Sequence, residues 1–188
     1  MIITLSGTAG SGKSTVAKIL AQKLKLKHYS TGDFMREIAR ERNLSLEDLG
    51  RIAEGDRSID AALDKRQIEL GKKEDNFIID GRLSFHFLPQ SIKIFLDADL
   101  KVRAERIWRD IQIKGLRKEE RAQTLREIIE EIKKREESEK KRYQKYYQIN
   151  PYEKKHYDLI IDTTKITAEE AAEEIIRFIK QRGFQLPK

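Results

Sequence analysis

The sequence predicts an α/β fold in which a five-stranded parallel sheet is flanked by helices on both faces. Five short apolar segments, residues 2–5, 27–30, 77–80, 92–97 and 159–162, each run into polar or turn residues, as buried strands do. Helical patterns at about 13–25, 32–42, 45–54, 57–72, 99–113, 117–147 and 167–182 fill the gaps between them. A glycine-rich turn joins the first strand to the first helix. Strands alternating with helices imply parallel pairing, which places ligands at the carboxyl ends of the strands.

The first strand leads into Gly7-Thr8-Ala9-Gly10-Ser11-Gly12-Lys13-Ser14-Thr15, a complete G-x-x-x-x-G-K-S/T pattern, followed by the amphipathic helix of Val16, Ile19, Leu20 and Leu24. Successive backbone N–H groups must converge on one anion in such a loop, and bulky Cβ atoms would block them. Lys13 can then reach the β- and γ-phosphates, Ser14 can ligate Mg²⁺, and the helix N-terminus adds its dipole. A plain glycine turn is the other reading, and the full pattern in its strand–turn–helix setting argues against it. The expected ligand is a nucleoside triphosphate.

After the second strand comes Tyr29-Ser30-Thr31-Gly32-Asp33-Phe34-Met35-Arg36. Here Thr31 sits at a strand end, Gly32 permits close backbone approach, and Arg36 projects from the next helix with a guanidinium suited to phosphate. A helix N-cap beside an incidental arginine reads equally well. Farther along this helical region, Asp60, Asp64 and Arg66 could recognise a base, or simply form an exposed helix face. The third strand ends in Asp80-Gly81-Arg82, with an acid placed to hold Mg²⁺ or its water shell, and Arg82 facing the same cleft. A tight turn closing the strand is the alternative.

Beyond the fourth strand, Arg103, Arg106 and Arg109 recur every third residue, a slowly drifting stripe on one helix. Arg135 and Arg142 lie two turns apart and share a helix face with Glu139 and Tyr146. Guanidinium groups from two helices could surround a transferring phosphoryl group, whose transition state spreads negative charge over its oxygens. Glu130–Lys134, Glu131–Arg135, Glu136–Lys140 and Glu137–Lys141 also have the spacing of a solvated charged helix, which accounts for the same residues. The last helix opens with Thr167 and Glu170 at capping-box spacing.

Of 188 residues, 38% are charged, the net charge is +7 and cysteine is absent. That charge fits either a nucleic-acid binder or an enzyme handling several phosphates, and a solvated lysine-rich surface explains most of the lysines. Without cysteine there is no disulfide framework, thiolate metal site or cysteine nucleophile. No stretch approaches the ~20 apolar residues of a membrane span. Little precedes the glycine-rich loop, so a soluble cytoplasmic protein with a single core is expected. The high charge content also suits a heat-adapted source. His28, His86 and His156 lie far apart without ligand spacing, and no catalytic or metal role is expected of them.

Together, GTAGSGKST, YSTGDFMRE, IIDGR and the arginine-rich charged region resemble the nucleoside monophosphate kinase family of P-loop kinases over nearly the whole chain. The resemblance implies the P-loop kinase fold, ATP as phosphoryl donor, Mg²⁺, and one domain with a helical NMP-binding lobe and a helical lid. The boundaries it implies are a core at about 1–30, 73–108 and 148–188, a lobe at about 31–72 and a lid at about 109–147. It also implies that Thr31, Gly32 and Arg36, with Asp60 and Arg82, contact the acceptor nucleotide. Lys13, Arg106, Arg109, Arg135 and Arg142 would act on the transferring phosphoryl group, with Arg117 and Arg121 as further lid candidates.

Adenylate kinases characteristically read D-G-F-P-R where this chain has Asp80-Gly81-Arg82-Leu83-Ser84. An arginine directly after the glycine is similar instead to cytidylate kinases. Bacterial cytidylate kinases carry a longer insert than residues 31–72 provide, so the resemblance is to the compact archaeal ones. It implies ATP + CMP ⇌ ADP + CDP, with dCMP as second acceptor and UMP as a weaker one, catalysed by a monomer that does not engage nucleic acid. Kinases acting on AMP or shikimate, and an adenylate-kinase-like RNA-associated ATPase, stay open as alternatives. The Thr31, Gly32, Arg36 and Arg82 set suits an acceptor that already carries phosphate.

Overall fold

The structure is a computed structural model that describes residues 1–112 and 124–184. Strands β1 (Ile2–Gly7), β2 (Lys27–Ser30), β3 (Phe77–Asp80), β4 (Ile92–Asp97) and β5 (Leu159–Asp162) form one sheet in the order β2-β3-β1-β4-β5. Every neighbouring pair is parallel. The register sets Leu5 beside Asp80 and Ile94, Ser30 beside Asp80, and Asp97 beside Asp162, so all carboxyl ends lie along one edge. On one face, Ile3, Leu5, Ile78, Ile94, Leu96 and Ile161 pack against α1 (Lys13–Leu24) and α8 (Ala168–Gln181). Nearly every residue of β1 is buried, consistent with its central place and its continuous apolar run.

The long connection from β2 to β3 forms α2 (Thr31–Glu41), α3 (Leu46–Gly55) and α4 (Arg57–Lys73). Few as its large apolar residues are, they are gathered: Ile38, Ala39, Leu49, Ala53, Ile59 and Leu63 make a small core of their own. After β4 comes α6 (Leu100–Gln112), and then α7 (Leu125–Tyr147), which packs on it through Ala104, Ile107, Ile128 and Ile132. The helix expected over 117–147 begins, among the described residues, at Leu125. Thr124 is extended, and with Glu127 it forms a reciprocal capping box that fixes this start. The short helix α5 (Ser84–Phe87) and the 3₁₀ turn Lys154–His156 were not expected, since neither is long enough to show a period. The capping box at Thr167 and Glu170 is present as expected. Among the described residues no helix is long and apolar enough to cross a membrane.

Candidate active site

The glycine-rich loop is held from below by β4. The Thr8 N–H donates to the Leu96 carbonyl at 3.3 Å, and the Thr8 hydroxyl to Asp97 Oδ1 at 3.2 Å. Gly10 has φ +80°, and a Cβ there would stand 2.6 Å from the Arg103 carbonyl oxygen, so the loop can press against α6 only with glycine at this position. Gly12, also left-handed, is the N-cap residue of α1, which brings the helix N-terminus under the loop. Ser11 Oγ donates to the Thr8 carbonyl at 2.9 Å, closing the loop on itself. Ala9 packs with Ala104 and Ile107, while Ser14 and Thr15 are exposed on the first turn.

Lys13 Nζ rests on the Thr8 carbonyl at 2.7 Å. Burial, and then the neighbouring Arg82, push its pKa well below the ordinary lysine value, while Asp80 and Glu139 pull it back up. A cation held where its charged form is disfavoured gains most from an anionic ligand. Arg82 places Nη1 on the Gly7 carbonyl at 2.8 Å and Nε on Glu139 at 2.7 Å; Arg135, from α7, reaches the same carboxylate at 3.0 Å. Lys13, Arg82 and Arg135 thus converge, although they come from three separate stretches of chain.

Asp80 is buried at the end of β3 and held from two sides. Its Oδ1 accepts from Ser30 Oγ at 3.0 Å and from Ser14 Oγ at 3.4 Å, and its Oδ2 meets His28 Nε2 at 2.8 Å. His28, of which no catalytic or metal role was expected, reaches Asp80 because the parallel register sets it two residues before Ser30, the strand partner of Asp80. The Ser14 hydroxyl and Asp80 carboxylate supply adjacent hard oxygens, the donors Mg²⁺ takes beside phosphates and water. Among the described residues no cluster of three or more His, Cys, Asp or Glu could hold a metal by itself.

Toward β2, Thr31 Oγ1 donates to the Asp80 carbonyl at 3.2 Å. A Cβ on Gly81 would meet Ser84 Oγ at 2.4 Å and Thr31 Oγ1 at 2.7 Å, so only glycine lets these two segments close together. The Arg36 guanidinium lies near Gly32, half-exposed and paired with Asp33 one turn back. Asp60, for which base recognition and an exposed helix face were both open, is 3% exposed, which removes the second, and it faces Arg142 Nε at 3.2 Å across the α4–α7 contact. Its Oδ2 and the Arg142 Nε nonetheless lack a well-directed hydrogen bond. Arg142 thus packs against α4, with Nη2 on Tyr143 OH at 3.2 Å. Arg66 is taken by Glu37 at 2.7 Å, and Asp64 accepts from Tyr147 OH at 2.5 Å.

On the other flank, Arg106 binds the Thr163 hydroxyl and carbonyl at 3.0 and 2.6 Å, and that hydroxyl donates to the Ser11 carbonyl. Burial, and then the nearby Arg109, lower the Arg106 pKa, while Asp162 raises it. Arg109 is exposed, and Arg117 and Arg121 lie outside the described residues. Sequence reasoning noted Arg103 only as part of a stripe; it is 6% exposed, pairs with Glu136 and reaches the Ala9 carbonyl at 3.4 Å, clamping α7 to the loop.

A parallel sheet in this order, with a glycine-rich loop leading from its central strand into a helix headed by lysine, is that of a P-loop kinase. The shikimate kinase from Aquifex aeolicus shares the fold at a TM-score of 0.57 and 20% sequence identity, over 97% of this chain and 98% of that one. The profile of the cytidylate kinase-like family matches residues 2–165, and the chain belongs to that family. It is similar to the cytidylate kinase of Methanocella arvoryzae, with 40% identity over 181 residues, 96% of this chain and 98% of that one. Identity to the cytidylate kinase of Methanothrix thermoacetophila is 42% over 163 residues, 87% and 88% of the two chains.

Proposed function

We propose that the protein transfers the γ-phosphoryl group of ATP to CMP, and to dCMP, giving ADP and the nucleoside diphosphate. The observation that carries the reading is the convergence of Lys13, Arg82 and Arg135 beside the glycine-rich loop, between one lobe suited to the donor and another suited to the acceptor. Phosphoryl transfer asks chiefly for in-line placement and charge neutralisation, and those three cations supply the second. The backbone of residues 7–15 cradles the donor phosphates, and Arg106 and Arg109 flank it. The Ser14 hydroxyl and the Asp80 carboxylate would hold Mg²⁺. When bound, Mg²⁺ would neutralise charge on the donor phosphates.

Thr31, Gly32, Arg36 and Arg82 take the acceptor phosphate. Asp60 and Arg142 stand farther along the α4–α7 contact, at the base end. A carboxylate accepts from the N4 amino group of cytosine and would face a carbonyl oxygen in uracil, which supports CMP over UMP. Residues 31–72 and 109–147 act as the acceptor lobe and the lid of a cytoplasmic monomer, closing to exclude water. The test is ADP formation from Mg-ATP at elevated temperature with CMP, dCMP, UMP, AMP, GMP or shikimate offered singly. Turnover favouring CMP and dCMP is expected; preference for AMP or shikimate, or hydrolysis indifferent to acceptor, would overturn the reading.

A further inference from the structure

We infer that Glu139 is a positioning residue for phosphoryl transfer: its buried carboxylate holds Arg82 and Arg135 by their Nε edges and leaves guanidinium nitrogens of both for phosphate oxygens. The inference rests on the reading of these arginines as phosphate ligands. Glu139 Oε2 accepts from Arg82 Nε at 2.7 Å and from Tyr152 OH at 2.5 Å, and its Oε1 accepts from Arg135 Nε at 3.0 Å. These donors come from the turn after β3, from α7 itself and from the segment after α7. One carboxylate therefore ties core, helix and following loop to a single point.

The contacts are of a kind suited to aiming. A guanidinium paired for stability alone tends to meet a carboxylate bidentately, through two nitrogens. Glu139 takes a single nitrogen from each arginine. Among the described residues, Arg82 Nη2 and both Nη atoms of Arg135 then carry no hydrogen bond, and Arg82 Nη1 is anchored on the Gly7 carbonyl at the start of the loop. The Arg135 side chain is 58% exposed while that of Glu139 is 8% exposed, so a buried acid steadies an arginine that is itself open to a ligand. Burial alone would raise the Glu139 pKa, but Arg82, Arg135 and Tyr152 hold it well below the usual carboxylate range, so the anion persists. Arg82, held by Glu139, also reaches the Gly7 carbonyl, which places the carboxylate beside the loop, and Glu139 raises the Lys13 pKa where Arg82 and Arg135 lower it.

The experiment compares wild type, Glu139→Gln, Arg135→Ala and the double variant by initial rates with Mg-ATP and CMP, with thermal melts of each. Glu139→Gln is expected to lower kcat about 10- to 100-fold at temperatures where it stays folded, with KM for ATP near wild type. In the Arg135→Ala background the same change is expected to cost several-fold less, because one of its two targets is gone. Tyr152→Phe removes one hydrogen bond with no change of charge, and is expected to lower kcat a few-fold while remaining folded. Equal losses in both backgrounds, or a folded Glu139→Gln with wild-type kcat and KM, would overturn the inference. Should Glu139→Gln not fold, a Tyr152→Phe variant with unchanged kcat would overturn it. An Arg135→Ala variant as active as wild type would instead remove the phosphate-ligand reading beneath it.

Discussion

At the phosphate loop the backbone sets the shape, with the Thr8 N–H on the Leu96 carbonyl, Gly10 against the Arg103 backbone and Gly12 heading α1, and the side chains of Lys13, Arg82, Arg103 and Thr163 rest on its carbonyls. Where α7 meets α3 and α4, side chains make the connection. Arg142 meets Asp60, Tyr147 donates to Asp64, Ser138 donates to Glu54, and Tyr146 OH reaches the carbonyls of Ala53 and Glu54 at 3.4 and 3.1 Å. A backbone-built site survives the loss of a side chain with its shape intact. A junction that includes the buried Arg142–Asp60 pair does not, because removing one partner strands the other. Function and stability should therefore separate at one end and coincide at the other.

The sharpest test pairs one substitution from each end. Asp60→Ala leaves Arg142 buried without its partner and is expected to destabilise the fold by about 3–5 kcal/mol, read from denaturant melts. Lys13→Ala is expected to lower kcat about 10²- to 10³-fold. It should leave the melting temperature unchanged or higher, since a desolvated cation is removed. The contrast fails if Lys13→Ala unfolds the protein or if Asp60→Ala melts like wild type. Arg36, half-exposed and paired with Asp33 in its own helix, is expected to behave as a ligand contact on an intact scaffold. Arg36→Ala should raise KM for CMP about 10- to 100-fold, with KM for ATP and the melting temperature unchanged.

The smallest effect concerns pH. Burial pushes the Asp64 carboxyl up to about 6, against the lowering effect of its hydrogen bond from Tyr147. Its ordinary value is about 3.9, so between roughly pH 4 and 6 the folded protein binds the proton that the unfolded chain has released. The stabilisation this group supplies is complete below that window and is lost as pH rises through it. Melting temperatures of wild type against Asp64→Asn across pH 4 to 7 should show a shallow decline with rising pH that the amide abolishes. An unaltered slope would locate the pH sensitivity elsewhere in the junction.

The same division explains what could be read from the chain. Strand positions and the glycine-rich loop depend on neighbours in sequence, and apolar runs with fixed spacing announce them. Helix α7 was visible as a charged helix, but its partners were not. Glu137 pairs with Lys141 at four-residue spacing as the pattern suggests, whereas Glu136 turns to Arg103. For Asp60, base recognition and an exposed helix face read equally well, because nothing near it in sequence marks the approach of Arg142. His28 was passed over for the same reason: its partner Asp80 lies across a strand pairing, 52 residues away. Glu139 was noticed on the right helix face, but its link to Arg82 spans 57 residues and has no local signature.

The topology also has a consequence for biosynthesis. The central strand β1 precedes both of its partners in the chain, pairing Ile3 with Ile78 in β3 and with Ile92 in β4. As the polypeptide leaves the ribosome, Ile3 and Leu5, fully buried in the finished sheet, have nothing to pair with until those later segments emerge. The phosphate loop waits with them, because the Leu96 carbonyl and the Arg103 backbone that shape it are still unmade. A nascent chain halted before β4 should consequently fail to retain ATP although its entire glycine-rich motif has been translated.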